Sequence, residues 1–264
     1  MYISRYIALA FILLVCFVLP PVFLAFSKKN TGQEVWTAAF FGAIGFVVTQ
    51  LLIRIPILST VYVVQFLSSL PPLFRYFALA LTAGLFETTG RLLVFLIPLN
   101  RRSSYEDGLS AGIGHGWVEA AILVGLNNIF NLLTLILYQA GGAVLVAKYL
   151  PFSEIEAANL ALVLQNTPTS LFWASGFERL FAIIAHTAFS LLLFYFIRNK
   201  SALSGFFIVV GLHTVLDFVS ILISAYVGIL ATEIFIAAFG VGCLVFCIKA
   251  KPLFKSSYRW AEWR

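Results

Sequence analysis

Seven stretches of this chain are each apolar over about the length needed to cross 30 Å of hydrocarbon, which leaves few folds open to it. They cover approximately residues 6–26, 35–53, 76–99, 108–137, 180–197, 203–223 and 226–248. Inside a bilayer every backbone N–H and C=O must be paired within the segment or around a closed barrel, and long apolar runs without alternation satisfy this as helices. The expected fold is therefore all-α: a polytopic transmembrane helix bundle of about seven spans, forming a single integral membrane domain over 1–264 with the lipid bilayer as its surroundings. Composition excludes the soluble alternative. Of 264 residues 61% are hydrophobic and only 11% charged, too apolar a surface for a soluble domain of this size.

The formal charge of +6 raises the question of nucleic acid, but the lysines and arginines sit at the ends of apolar runs, so no nucleic-acid partner is expected. Lys28-Lys29, Arg101-Arg102, Arg198 with Lys200, and the tail with Lys249, Lys251, Lys255, Arg259 and Arg264 fall on one side when seven spans are counted. By the positive-inside rule that side is cytoplasmic, the N-terminus is outside and the protein is a multi-pass component of the cell membrane. The first apolar run is too long for a signal-peptide core and ends in Ser27-Lys28-Lys29, which reads as a retained span. Residues 55–70, flanked by Arg54 and Arg75 and bounded by Pro56 and Pro71-Pro72, suit an interfacial or re-entrant helix. Residues 148–179 suit a partly ordered extracytoplasmic loop. Cys16, Cys243 and Cys247 lie in apolar runs without a disulfide or metal spacing.

Against this background the ionisable residues within the spans stand out, because each is expensive at bilayer depth. "FETTGR" carries Glu87 and Arg91; "GIGHGWVEA" carries His115 and Glu119; "GLHTVLDF" carries His213 and Asp217; His186 lies in the fifth span. Counted from the cytoplasmic ends, Glu87 and the three histidines lie about ten to thirteen residues deep, roughly 15–20 Å at 1.5 Å per residue. Four helices thus aim one candidate ligand or acid each at a common layer. Three imidazoles and a carboxylate are a donor set for zinc or another divalent metal, with a position left for water. The i, i+4 spacing puts Glu119 beside His115 and Asp217 beside His213, where either acid could bind the ion or orient the imidazole. Each feature alone has a plainer reading: Glu87–Arg91 as an ion pair that eases insertion, a lone histidine as an interhelical hydrogen-bonder. Their shared depth favours a site.

These motifs, with "ERLFAIIAHTAFS", resemble the YhfC family of intramembrane metalloproteases, over nearly the whole chain. That family is similar to the CAAX prenyl endopeptidases, bacteriocin-processing proteases, PrsW-type proteases and the Aph subunit of γ-secretase. The resemblance implies a metal-dependent peptide-bond hydrolase whose substrate is a membrane-embedded or membrane-associated polypeptide. It implies Glu87 as the general base and Arg91 as the arginine of the first motif. His115 with Glu119, His186, and His213 with Asp217 match the remaining motifs. Here Thr88 stands where a second glutamate is usual, leaving Glu87 as the only acid in that motif. Two alternatives stay open: a non-catalytic membrane scaffold, and a proton-coupled transporter, whose buried His and acid chains also carry protons.

Overall fold

The computed structural model describes residues 2–32 and 34–255; Gln33 and the end of the basic tail, with Arg259 and Arg264, lie outside the described residues. Those residues form helices and no strand. Seven helices are long and apolar enough to cross a membrane: α1 (Ile3–Thr31), α2 (Val35–Leu58), α4 (Pro72–Leu96), α5 (Tyr105–Tyr149), α7 (Thr169–Arg198), α8 (Ala202–Tyr226) and α9 (Ile229–Phe254). Two shorter helices, α3 (Val61–Ser69) and α6 (Glu154–Asn166), lie between them in sequence. The chain is a multi-pass membrane protein.

Two segments differ from expectation. The second span continues through Pro56 to Leu58, and only Val61–Ser69 forms a separate helix, nine residues long and too short to span. Pro56 cannot donate to the preceding turn and its ring crowds the carbonyl of Leu52. The chain answers with a wide π-helical stretch, Val47–Arg54, in which the Ile55 N–H reaches back to the Gln50 carbonyl. Residues 148–179, expected as a loop, instead contain all of α6 and the first turns of α7. Ser153 and Glu156 cap α6 reciprocally: the Ser153 N–H and hydroxyl each donate to Glu156 Oε2 at 2.8 Å, and the Glu156 N–H donates to Ser153 Oγ at 3.3 Å. The donations from Ser153 hold the Glu156 carboxyl below the usual carboxylate range. Glu178 and Arg179, just before the expected fifth span, lie inside α7 and pair with each other.

The chain forms two compact units. One comprises residues 1–21 and 120–180, the other residues 22–119 and 181–264. In the first, Arg5 donates to the Gln165 and Thr167 carbonyls, both at 2.9 Å, closing the C-terminal end of α6. Phe11 packs on Trp173 and Phe177 at ring separations of 5.2 and 4.9 Å.

The second unit holds every residue of the sequence-predicted site. Its helices meet at backbone distance because small residues line the contacts, which is how apolar helices bind one another where lipid removes any hydrophobic gain. A side chain at Gly42 would overlap the Ala111 carbonyl and one at Gly114 the Ala39 carbonyl, so α2 lies directly on α5. On another face of α5, Gly112 abuts Thr187 and Gly116 abuts Ile183 of α7. Gly84 of α4 faces Val210 and Thr214 of α8. Phe95, Phe189, Leu191, Phe194 and Leu109 belong to the apolar core of this unit. Gly114→Ala is expected to destabilise the protein by about 1–3 kcal/mol, the usual penalty of overpacking. Gly211→Ala, which points into open space, should leave the unfolding temperature in detergent unchanged or higher. Equal melting of the two variants would show that the α2–α5 contact yields freely.

Candidate metal centre

Helical spacing delivers the residues in pairs. Glu87 and Arg91 lie one turn apart on α4, His115 and Glu119 on α5, and His213 and Asp217 on α8, while α7 contributes His186. The point of convergence is one oxygen of Glu87. Its Oε2 lies 3.1 Å from His115 Nε2, 3.4 Å from His186 Nδ1, 3.7 Å from His213 Nε2 and 3.2 Å from Arg91 Nη2. Glu87, Arg91 and the three histidines are all buried. A carboxylate inside a membrane-spanning helix would be prohibitive alone; here donors from four helices surround it.

The hydrogen bonds order the imidazoles. Arg91 Nη2 touches His186 Nδ1 as well as Glu87, and a guanidinium only donates, so Nδ1 is an acceptor. The ring proton then sits on His186 Nε2, 2.7 Å from Glu119 Oε2. His213 Nε2 faces two carboxylates, Glu87 and, at 3.4 Å, Asp217. The rings of His115 and His186 lie 5.3 Å apart, those of His186 and His213 5.4 Å apart. Aromatic walls enclose them: Phe46 meets His115 edge-on, and Phe189 stacks on His213 while meeting His186 edge-on.

Two residues of the cluster escape a reading of the sequence. Gln50 of α2 donates through Nε2 to the other Glu87 oxygen, Oε1. Arg54, one turn on, donates to Gln50 Oε1 at 3.1 Å, and also to the Leu79 carbonyl at 2.8 Å and Thr82 Oγ1 at 3.2 Å. In the sequence Arg54 reads as a basic flank; the signal that could have found the pair is a glutamine inside an apolar run, four residues before an arginine.

Glu87, His115, Glu119 and His186 each offer a donor atom, and these four atoms lie within 4.8 Å of one another. Ligands bound at about 2 Å in a tetrahedron are separated by about 3.3 Å, so a modest inward movement of side chains would close the set. Charge agrees as well. The three carboxylates of Glu87, Glu119 and Asp217 outnumber the two guanidinium groups of Arg54 and Arg91 by one, a net negative charge that favours a cation. His115 Nδ1 and His213 Nδ1 are buried without a hydrogen-bond partner, so no outer contact commits either ring to one tautomer. Two imidazoles and two carboxylates suit zinc and its neighbours in the first transition row. The residues fit such an ion.

Comparison with known proteins agrees with this chemistry. The family model described as "YhfC intramembrane metalloprotease" matches residues 11–240. The membrane protein YhfC of Bacillus subtilis (strain 168), itself named as uncharacterized, is 28% identical over 253 residues, covering 91% of this chain and 94% of the relative. No solved structure matches the chain significantly.

Proposed function

The chain belongs to the YhfC intramembrane metalloprotease family, and on that premise we propose that it hydrolyses peptide bonds of membrane-embedded or membrane-associated polypeptides at the cluster around Glu87. One observation carries the reading: a single buried carboxylate oxygen lies within 3.7 Å of imidazole nitrogens from three different helices. His115, His186 and Glu119 are the residues that would hold a divalent ion, zinc or another, leaving a position for water and Glu87 beside it as the base. Glu119 takes the place in this set that the sequence suggests for His213. Such an ion, when bound, polarises a water molecule and lowers its pKa towards neutrality.

Glu87 Oε2 accepts the proton of the attacking water and returns it to the leaving amine as the C–N bond breaks. Arg91 stays against Glu87 and keeps it in place; for His186 to hold the ion through Nε2, its ring proton would move to Nδ1 and Arg91 would release that nitrogen. His213, its Nε2 proton held between Glu87 and Asp217, is placed to donate to the carbonyl oxygen as negative charge gathers there. The protein sits in the cell membrane with its N-terminus outside and the Arg101-Arg102 end facing the cytoplasm, from which water reaches the site.

The test joins metal content to cleavage. Detergent-purified protein is expected to hold a stoichiometric divalent ion and to cleave a pool of internally quenched apolar peptides. Chelation should stop cleavage, and re-addition of zinc should restore it. His115→Ala and His186→Ala should lose ion and activity together. Cleavage without any ion would leave Glu87 and the imidazoles to activate water alone. Neither ion nor cleavage would favour a scaffold.

A further inference from the structure

The two oxygens of Glu87 have different surroundings. Oε2 faces the three imidazoles and Arg91, whereas Oε1 accepts from Gln50. The Gln50 amide can stand only one way round. Its Oε1 accepts from Arg54, so its NH2 group must face Glu87. Arg54 is fixed in turn by the Leu79 carbonyl and Thr82. The chain of bonds therefore starts on α4, crosses to α2 and returns to α4 at Glu87. It depends on the π-helical stretch Val47–Arg54, a backbone form that recurs at functional sites.

We propose that Gln50, held by Arg54, is a positioning residue that ties down Oε1 of Glu87 and so leaves Oε2 as the oxygen that exchanges the proton with water. This rests on the proteolytic reading for its consequence, though not for its geometry. Removing Gln50 leaves the carboxylate held at Oε2 alone and loosens it about its last torsion. The rate falls while substrate binding, made elsewhere, does not.

The experiment has two arms. The first is the infrared difference spectrum of the Glu87 carboxylate, obtained by subtracting Glu87→Gln, in the wild-type and Gln50→Leu backgrounds. Loss of the Nε2 donor should shift the carboxylate stretching bands, and this needs no substrate. An unshifted spectrum overturns the proposal. The second arm is cleavage of the quenched-peptide pool. Gln50→Leu should lower kcat by about 10–100-fold, as loss of partners that orient active groups generally does, with KM little changed. Arg54→Gln should lower kcat as well, and the double variant should be no worse than Gln50→Leu, because Arg54 acts through Gln50. Additive losses, or a rise in KM alone, would mean that the two residues only hold helices together and would overturn the proposal. A shifted spectrum beside a wild-type protein that cleaves nothing would support the carboxylate assignment and remove the proteolytic reading instead.

Discussion

Glu87→Gln is expected to lower cleavage of the quenched-peptide pool by about 10²–10⁴-fold, the usual contribution of a general base. Glutamine has the shape of glutamate and its carbonyl oxygen can still accept from Gln50, so α2 and α4 keep their contact. It cannot take a proton from water. The exchange also sets a new donor against Arg91 Nη2, which lies 3.2 Å from Glu87 Oε2, so some loss of stability should accompany the loss of rate. The decisive comparison is between rate and melting temperature across variants. A Glu87→Gln protein that cleaves at the wild-type rate would reduce Glu87 to an ion-pair partner and end the mechanism.

The complementary change separates charge from chemistry. Arg91→Gln leaves the Glu87 carboxylate buried without its cation and should destabilise the protein by up to about 3–5 kcal/mol, the loss seen when one member of a buried pair is removed. The double variant Glu87→Gln, Arg91→Gln removes both charges and should recover most of that stability. It should remain as inactive as Glu87→Gln alone. Thermal unfolding in detergent checks the first outcome, and the peptide assay checks the second. If the double variant melts no higher than Arg91→Gln, the two side chains are not coupled as their geometry requires.

Hydropathy and length make the spans legible, because the bilayer imposes both. Element ends are less so. Glu178 and Arg179 lower the apolarity of the first turns of α7 and make them read as loop, yet the two side chains pair with each other inside the helix. The capping pair Ser153 and Glu156 announces α6, but its helix is too short and mixed to register as a span. Depth along a helix can be counted in residues, which is why Glu87 and the histidines can be assigned to one layer from the sequence. Rotation about the helix axis cannot be counted that way. It decides that Glu119 joins His115, His186 and Glu87 among the donors within 4.8 Å, while His213 stands across Glu87 beside Asp217. Gln50 and Arg54 are hidden for the same reason: they lie in the π-helical stretch before Pro56, and its rotation turns them towards α4.

The glycines of α5 have a consequence for assembly. To an apolar helix in lipid most rotational settings are nearly equivalent, because hydrocarbon is as good a neighbour as leucine. α5 is denied that freedom: Gly114 must meet α2 while Gly112 and Gly116 meet α7. Turning it by one residue, about 100°, would drive Ile113 or His115 into a space that admits only a hydrogen atom. Misrotated bundles are therefore rejected by backbone collision before any polar contact is made. The setting that survives is the one in which His115 and Glu119 face inward, so the chain has no well-packed form in which these side chains look out at lipid.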